Sequence, residues 1–503
     1  MVEKGRFGWK QCFWLCLPAL LVGAALRIWL LAVIPEGSYS ADSPSYFETT
    51  VKLAEKHDLS VGLKRRWLYP LLLVPTPLIP PSPVRVVPFI QHAIGLVTIL
   101  GVGWIVGHLT RLRMLWVPAV TMLYAVWPRI LWYEHEIVAE AVFLAGFILL
   151  AALAARPGAL RNPRQLLWFL LTAAAVVALR PHGRGVWLAA IVSAYLLTRT
   201  LNWGWKNWAA VAFGLLIIKT SGNNTQGNWL LLNSTLPLVN LEGETWREYR
   251  EALRVVVMET RADGIGYAWT QENYKKRLQH RDPSKINETW AKLNHDKPLF
   301  SKVCASFSRE ALVRHPLRFT QLTLAKCLIA LRADSARANF SPAVFWPAQD
   351  VINATRWPQS PREMQMAYKL NPEEYAALSA ERRTRTFGGL PFLNWVSNTF
   401  GWVKVHFNEQ TRHLSFDPRP MGWLALLGLA VCLFSRRFSA TAVLWLSAGL
   451  YMLTVFAVAD RLPRFVHPVE WVGWVLAAIA LDALLCGAWF GIKRLAPRDS
   501  PAA

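Results

Sequence analysis

Charge is scarce in this sequence. Charged residues make up only 17% of the 503 residues, whereas hydrophobic residues make up 53%. So little charge over such a length argues against a soluble protein. In addition, hydrophobic runs that could cross a bilayer core of about 30 Å recur along the chain. The composition therefore predicts a polytopic membrane protein. The 26 tryptophans agree with this class, since indole rings favour the membrane–water interface.

Several functional motifs are also missing. The sequence has no Walker motif and no glycine-rich nucleotide loop. It shows no internal repeat of the kind found in transporter folds. The cysteines lack the paired spacing of a zinc site or a disulfide framework; they are Cys12, Cys16, Cys304, Cys327, Cys432 and Cys486. No nucleotide, structural metal or disulfide is therefore predicted.

Positive charge is in excess, and the formal net charge is +23. Such a balance often indicates nucleic-acid binding. Here anionic lipid head groups, and the bias of Lys and Arg toward the cytoplasmic side, explain it better. Membrane lipids are therefore predicted partners, and nucleic acid is not.

The hydrophobic runs predict an all-α polytopic bundle of about 11 transmembrane helices. Ten spans lie at roughly 13–34, 84–109, 114–131, 134–155, 165–180, 184–201, 206–220, 421–435, 438–459 and 467–490. An apolar helix at about 316–332 is either an eleventh span or an interfacial helix, and its basic residues favour the interface. The proline-rich segment 68–80 is predicted to be partly embedded in the membrane.

Basic residues in alternate loops orient the N-terminus toward the cytoplasm. The first apolar run is too long for a signal-peptide core and is predicted to be an uncleaved span. Small helical caps are predicted at 245–261 and 372–385 on the outer side. Three regions follow: an N-terminal transmembrane module at 1–220 with its first external loop at 35–67, external loops and interfacial helices at 221–420, and C-terminal transmembrane helices with a cytoplasmic tail at 421–503.

Asp42 follows the first span, in the segment YSADSPSYF. If a helix begins there, Asp42 and Tyr46 share one face of it. A carboxylate at the outer surface can serve as a general base for a hydroxyl. The alternative is that Asp42 is a helix N-cap with Pro44 in the first turn.

Three glutamates lie where the fourth predicted span begins. Glu136 and Glu140 would be one helical turn apart, and Glu140 enters the apolar run AEAVFLAGF. A carboxylate there is costly unless it faces a cavity or a partner, so the alternative for Glu140 is an ion pair with Arg129 or with another helix. Glu134 is predicted to lie at the interface. Arg27, inside the first span, could pair with a carboxylate from another helix.

Basic residues on the predicted outer face break the usual charge bias. They are Lys64 and Arg66 in the first loop, Arg180 and Arg184 with His182 in the turn RPHGR, and Arg461 and Arg464 with His467 before the last span. Guanidinium groups suit phosphate oxygens through paired hydrogen bonds, so one shared anionic ligand would explain the cluster. The alternative is snorkelling to lipid head groups.

A series of local motifs occurs in order along the chain: DSPSY, LYPLLL, VVPFIQHAIGL, WPRILWYEHEIVAEAVFLAGF, LRPHGRG, RHPLRF and RLPRFVHPVEW. In these motifs the sequence resembles the multi-spanning glycosyltransferases of the C-type fold, which take a sugar from polyprenyl phosphate. That superfamily includes protein O-mannosyltransferases and the aminoarabinose transferases of lipid A. The resemblance covers most of the membrane region and implies an active site facing the periplasm or exterior of the inner (plasma) membrane.

The resemblance also implies roles for individual residues. Asp42 would be the catalytic base, with Glu140 and Glu136 as further catalytic carboxylates. Arg180 and Arg184 would fall where basic residues can bind the donor phosphate. From their charge and their position on the outer face, Lys64, Arg66, Arg461 and Arg464 are predicted to bind it too. The residues predicted to contact the substrates are Tyr46, Tyr69, His182 and His467. The acceptor would be a glycan, a lipid or a protein. No cofactor is required, although a divalent cation could bind near Asp42 and Glu140.

Two features depart from the superfamily pattern. Ser43 follows Asp42, where the protein mannosyltransferases carry a paired Asp-Glu. The long soluble repeat domain of the eukaryotic members is absent, so a protein acceptor is not implied.

Two other classes of function remain open. A transporter or lipid flippase would also be polytopic and basic, but should show repeat symmetry and charges near the membrane midplane. A non-catalytic envelope assembly protein would use the external stretches as docking surfaces.

Overall fold

The structure of the protein is a computed structural model. It describes residues 7–33, 35–37, 42–56, 66–76, 79, 82–220, 225–262, 286–330, 371, 373–374, 376–377, 406–408, 413–415, 419–434, 441–458 and 463–495. The conclusions that follow concern these residues.

Helices make up nearly all of the described structure. In the N-terminal region they are α1 (Trp9–Val33), α2 (Ser43–Lys56), α3 (Leu68–Leu73), α4 (Pro83–Leu109), α5 (Arg113–Val126), α6 (Pro128–His135), α7 (Glu140–Ala155), α8 (Pro163–Leu179), α9 (Gly183–Thr198) and α10 (Trp205–Thr220). Further along they are α11 (Thr225–Thr235), α12 (Arg247–Ala262), α13 (Glu288–His295), α14 (Lys297–Arg314), α15 (Pro316–Ala330), α16 (Arg419–Leu433), α17 (Ala442–Val458) and α18 (Pro463–Leu495). The exception is a short antiparallel pair, β1 (His406–Asn408) with β2 (His413–Ser415), which the all-α prediction did not include.

Three described helices are long and apolar enough to cross a membrane, at Trp9–Ala32, Pro83–Leu109 and Pro468–Ala488. The chain is therefore a membrane protein. Shorter apolar helices of 10–17 residues coincide with six other predicted spans; they are Arg113–Val126, Glu140–Ala155, Pro163–Leu179, Gly183–Thr198, Trp423–Leu433 and Ala442–Val455. The count of about 11 spans is not confirmed and stays a prediction.

Two predicted helices outside the main spans are present. The cap helix predicted at 245–261 is α12, and the apolar helix predicted at 316–332 is α15. Helix α15 packs against both α14 and α17. Of the cap predicted at 372–385, only residues 373–374 and 376–377 are described, and they are helical.

Glycines let several helices approach closely, as small residues do at membrane helix interfaces. A Cβ at Gly185 of α9 would overlap the backbone of Leu450 in α17. A Cβ at Gly428 of α16 would likewise overlap the backbone of Leu476 in α18. The close approach at Gly185 brings α17 next to the start of α9 and the turn that precedes it. The candidate site lies at this turn.

Helix α18 marks the two ends of the bundle. Near its start, Glu470 accepts a hydrogen bond of 3.2 Å from the indole of Trp127. Twelve residues further on, Asp482 accepts backbone N–H bonds of 3.0 and 2.9 Å from Arg111 and Leu112 in the turn between α4 and α5. Because a helix rises about 1.5 Å per residue, these contacts are about 18 Å apart. The Trp127 end carries the groups described next.

The region between α10 and α15 has a hydrophobic core of its own. Trp229, Trp290 and Phe300 form its aromatic centre, with ring centroids 5.6 to 5.8 Å apart. Beside it, Arg250 pairs with Glu310 at 2.6 Å. The helix predicted at 245–261 contributes to this cluster; that the region is a small cap on the outer side stays a prediction.

Candidate functional site

The segment between α5 and α7 is broken at two points, Trp127 and Glu136, which lie inside the spans predicted at 114–131 and 134–155. Trp127 is extended because Pro128 disfavours helical geometry in the residue before it, and Pro128 then starts α6. Helix α6 ends at His135, Glu136 is extended, and α7 begins only at Glu140. The prediction that Glu136 and Glu140 share one helical turn is therefore wrong.

Gln91 of α4 supplies the hydrogen bonds that this break would leave unmade. Its side-chain amide donates to the carbonyl of Glu134 at 3.0 Å and to the carbonyl of Glu136 at 2.7 Å. Backbone carbonyls at a helix end lack partners within the helix, and leaving them buried and unpaired is costly. The side chain of Gln91 is therefore part of what stabilises the interruption.

Glu134 is the centre of a buried polar cluster, so the prediction that it lies at the interface is wrong. Its two carboxylate oxygens accept hydrogen bonds of 2.7 Å each from Arg27 of α1. His92 lies 2.9 Å from one of these oxygens and 3.2 Å from the ring of His135. All four residues are at most 2% exposed. The pairing suggested for Arg27 is confirmed, and burial is tolerated because the charges compensate each other.

Gly95 makes room for this cluster. A Cβ on Gly95 would overlap the carboxylate of Glu134. The absence of a side chain at this point of α4 therefore lets Glu134 reach Arg27.

Glu140 forms a second buried ion pair. One of its oxygens lies 2.7 Å from Nη1 of Arg180, which is the first residue after α8. The two residues are 2% and 7% exposed. The other oxygen of Glu140, Oε2, has no hydrogen-bond partner in the described part of the chain. The alternative raised for Glu140, an ion pair with Arg129 or with another helix, is thus realised with Arg180.

Asp42 lies at the same end of the bundle, directly before α2 and with Pro44 in the first turn, as the N-cap alternative requires. It is half-buried, and its carboxylate is close enough to the guanidinium of Arg180 for the two opposite charges to attract, as the carboxylate of Glu140 also does. The hydroxyl of Ser43 donates to the carbonyl of Ile137 at 2.9 Å. The first loop is thereby fixed to the broken segment that carries the glutamates.

Two further arginines lie near each other, Arg184 in the turn RPHGR and Arg66 shortly before α3. Gly183 is required in that turn, because a Cβ would overlap the backbone of Val176 in the preceding helix. Arg184 is exposed, whereas Arg66 is 7% exposed and donates from Nη1 to the carbonyl of Ile217 at 3.1 Å. Burial and the charge of Arg184 lower the pKa of Arg66 to about 10. Neither arginine has a carboxylate partner among the described residues.

Of the remaining predicted site residues, some lie near this end of the bundle and others lie outside the described residues. Tyr46 and Tyr69 are buried and in edge-to-face contact, with centroids 4.9 Å apart, and the hydroxyl of Tyr69 donates to Gln91 at 2.9 Å. His182 is half-buried at the start of α9. Arg464 and His467 lie in the first two turns of α18. Lys64 and Arg461 lie outside the described residues.

Sequence reasoning missed Gln91, His92 and His135. His92 lies between Glu134 and His135, and Gln91 joins the carbonyls of Glu134 and Glu136 to the hydroxyl of Tyr69. A signal was present, since the pair Gln91–His92 interrupts the apolar run VVPFIQHAIGL of a membrane helix. Polar side chains at such positions are rare unless they have partners in the bundle interior.

The residues present do not fit the divalent cation considered from the sequence. Across the described ranges, no group of three or more His, Cys, Asp or Glu residues is close enough to hold a metal ion. Glu140, one of the two suggested ligands, is already neutralised by Arg180 at 2.7 Å. No step below is therefore routed through a metal.

Comparisons with known proteins add little to this geometry. No protein-family model matches the chain, and no characterised protein matches it by sequence. A crystal structure of the oligosaccharyltransferase of Archaeoglobus fulgidus, in the apo form, superposes with a TM-score of 0.39 and 13% identity over 98% of this chain and 53% of that one. The chain thus spans about half the length of that enzyme. At this level of similarity, the match does not indicate what this chain acts on.

Proposed function

We propose that this protein is a membrane glycosyltransferase. It moves one sugar from a polyprenyl-phosphate donor to an acceptor hydroxyl on the outer side of the inner (plasma) membrane. The observation that carries the proposal is the meeting of Asp42, Glu140 and Arg180 at one end of the bundle, where Glu140 and Arg180 are 2.7 Å apart and Asp42 acts on the same guanidinium. We infer that these residues, which are separated by up to 138 positions (42 to 180), belong to one polar site.

Asp42 is the proposed base. It is half-buried beside the paired carboxylate and guanidinium. Its carboxylate accepts the proton of the acceptor hydroxyl while that oxygen forms a bond to the anomeric carbon. The bond between the anomeric carbon and the phosphate oxygen breaks, and its electrons leave with polyprenyl phosphate. Direct displacement of this kind inverts the anomeric configuration.

Arg66 and Arg184 are the proposed binding groups for the departing phosphate. They are close enough to influence each other, and neither has a carboxylate partner in the described chain. Two like charges held together without an acid favour an anionic ligand, and guanidinium groups bind phosphate through paired hydrogen bonds. Lys64, Arg461 and Arg464 stay predicted ligands of the phosphate, and His467 stays a predicted substrate contact.

Arg180 and Glu140 have a shared role in this proposal. Because Glu140 already neutralises Arg180, the arginine cannot be a free phosphate ligand in the same way as Arg184. Its remaining donors can still strengthen their interaction with an oxygen that gains charge during the reaction. Oε2 of Glu140, which lacks a hydrogen-bond partner in the described residues, is placed to accept a hydrogen bond from an acceptor hydroxyl.

The other predicted residues are proposed to shape the site. Tyr46, His182 and Glu136 are placed near the substrates, each being buried or half-buried at this end. Tyr69 is fully buried and its hydroxyl is engaged by Gln91. We therefore assign Tyr69 to supporting Tyr46 rather than to direct contact with a sugar.

The proposal is tested by deleting the gene in the host and comparing cell-envelope glycans by mass spectrometry. Complementation with Asp42→Asn should fail to restore the missing sugar, with a loss of about two to four orders of magnitude in rate. Glu48→Gln is the matched control, since Glu48 lies on the same helix but is exposed and paired with Lys52. Full restoration by Asp42→Asn, at equal protein abundance, would remove Asp42 from the mechanism.

A second measurement examines the donor site. Purified protein in detergent is titrated with undecaprenyl phosphate, which serves as the polyprenyl-phosphate probe. Arg66→Gln and Arg184→Gln should each weaken binding by about tenfold or more, whereas Arg254→Gln, in the cap, should not. Transport of a lipid-linked sugar across sealed vesicles without product formation would instead favour the flippase alternative.

A further inference from the structure

Gln91 touches three separate parts of the candidate site with one side chain. It accepts a hydrogen bond of 2.9 Å from the hydroxyl of Tyr69, which lies on α3. It donates to the carbonyls of Glu134 and Glu136 at 3.0 and 2.7 Å. Since Gln91 is 2% exposed and has both donors and its acceptor engaged, its amide is fully used inside the bundle.

The contact with Tyr69 extends to the helix that follows Asp42. The ring of Tyr69 packs edge-to-face on Tyr46 of α2, four positions after Asp42. A second link joins the same two helices, because the hydroxyl of Thr50 donates to the carbonyl of Pro70 at 3.2 Å. Movement of Tyr69 would therefore be transmitted to α2 and to the residue just before it.

The hydrogen bonds from Gln91 to the carbonyls of Glu134 and Glu136 also affect the position of Glu140. Glu134 and Glu136 are the last residue but one of α6 and the residue that follows the helix. From there only three residues lead to Glu140, where α7 begins. Fixing the carbonyl of Glu136 thus fixes the start of α7 relative to α4.

We propose that Gln91 is a positioning residue, which sets the separation between Asp42 and the Glu140–Arg180 pair. The proposal rests on the proposed function, because that separation matters only if an acceptor hydroxyl binds between these groups. A carboxamide suits the task because it offers one acceptor and two donors in one plane. Small errors of placement are expensive in catalysis, since a shift of about 1 Å can cost about 100-fold in rate.

The first test measures the link without reference to activity. Hydrogen–deuterium exchange is followed by mass spectrometry for the full-length protein and for Gln91→Met, an apolar substitution of similar size. Amides of 134–140 should exchange at least about tenfold faster in the variant, because the interruption loses both side-chain donors. Gln165→Met is the matched control; it removes an amide–carbonyl bond of 2.9 Å to Leu153 at the opposite end and should leave 134–140 unchanged.

The second test separates positioning from general damage to the fold. At equal amounts of folded protein, Gln91→Met should restore the missing glycan about 10- to 100-fold more slowly than wild type. Its dissociation constant for undecaprenyl phosphate should change by less than about threefold, because Arg66 and Arg184 are untouched. Tyr69→Phe, which removes one of the three bonds, should slow restoration less, and the double variant should be no slower than Gln91→Met alone.

The outcomes distinguish this inference from the proposed function. Unchanged exchange at 134–140 in Gln91→Met, or additive effects of the two substitutions, would overturn it even if wild type transfers sugar. If Gln91→Met showed faster exchange at 134–140 but restored the glycan at the wild-type rate, the positioning role would be overturned. The hydrogen bonds of Gln91 would then have a structural role only. If wild type neither binds undecaprenyl phosphate nor alters a glycan, the proposed function fails and the catalytic role of Gln91 fails with it. Should Gln91→Met not fold, Gln91→Glu and Tyr69→Phe carry the same comparison.

Discussion

Two glutamates six positions apart occupy different electrostatic environments. Glu134 accepts two hydrogen bonds of 2.7 Å from Arg27 and lies 2.9 Å from His92. Glu140 meets Arg180 through one oxygen at 2.7 Å, and its Oε2 has no hydrogen-bond partner in the described residues. Both side chains are about 3% exposed. The difference between them is therefore in hydrogen bonding, not in burial.

This difference separates a structural carboxylate from one that can serve a substrate. A buried polar group whose hydrogen bonds are complete holds its neighbours in place and gains nothing from a ligand. A buried oxygen that lacks a partner is costly, and its presence in a folded protein calls for an explanation such as a bound substrate or water. On this basis we assign Glu134 to stabilising the bundle and Glu140 to the proposed site.

The largest expected effect is on stability, from Glu134→Gln. The substitution leaves the guanidinium of Arg27 buried without a charge partner, and removing one partner of a buried pair costs about 3–5 kcal/mol. We expect a large fall in the midpoint of thermal unfolding in detergent, together with a low yield. The double variant Arg27→Met, Glu134→Leu is the control, because replacing both charges with apolar groups should recover most of the loss. Wild-type stability of Glu134→Gln alone would contradict the structural assignment.

A smaller loss is expected from Gly95→Ala, which tests the same cluster by volume instead of charge. The new methyl group would overlap the carboxylate of Glu134, and overpacking of this kind costs about 1–3 kcal/mol. Gly449→Ala on α17 is the matched control, since a Cβ there meets nothing within 4 Å. The control should be neutral or slightly stabilising, because Ala favours helix more than Gly. Equal effects of the two substitutions, measured by thermal unfolding, would show that Glu134 can move freely.

Glu140→Gln is expected to cost less stability than either change, about 1–2 kcal/mol. Arg180 keeps the nearby charge of Asp42, and Gln can still accept one hydrogen bond from the guanidinium. Activity should suffer more than folding, with glycan restoration slowed about 100-fold. If Glu140→Gln lost as much stability as Glu134→Gln and still restored the glycan at the wild-type rate, Glu140 would be a structural carboxylate and not part of the site.

The sequence predicted the class of fold and part of the site. Apolar runs and their spacing were enough to indicate a multi-helix membrane protein, because hydrophobic length is a local property. The tightness of the RPHGR turn was also visible in the sequence, and Gly183 accounts for it. The cap helix at 245–261 followed from its periodicity and is confirmed as α12.

The sequence could not predict which charges pair. Arg27 and Glu134 are 107 positions apart, and Glu140 and Arg180 are 40 positions apart, so their partners depend on how the helices pack. The break after α6 was also missed, because it is stabilised by Gln91 from another helix rather than by a local signal. Glu134 was misplaced for the same reason: its depth depends on Arg27 and Gly95, which lie elsewhere in the sequence.

The smallest expected effect extends the comparison to a carboxylate outside the membrane helices. In the cap, burial of Glu310 opposes its ionisation, but the hydrogen bond from Asn240 and the pair with Arg250 outweigh it and lower the pKa of the carboxyl. Because the folded pKa is below the unfolded value of about 4.3, this pair stabilises the fold above that value. The contribution, about 1–2 kcal/mol, is lost as the pH falls through the folded pKa.

Glu310→Gln should therefore be less stable than wild type at pH 7, and the gap between them should narrow as the pH is lowered below about 4. Thermal unfolding in detergent over this pH range measures the gap, with hydrogen exchange of α14 as a local probe. Glu251→Gln is the control, because Glu251 forms an exposed pair with Arg254 and surface pairs contribute little. A gap that stays constant with pH would mean that the contribution of Glu310 to stability does not depend on its charge, and the assignment of a stabilising ion pair with Arg250 would then be wrong.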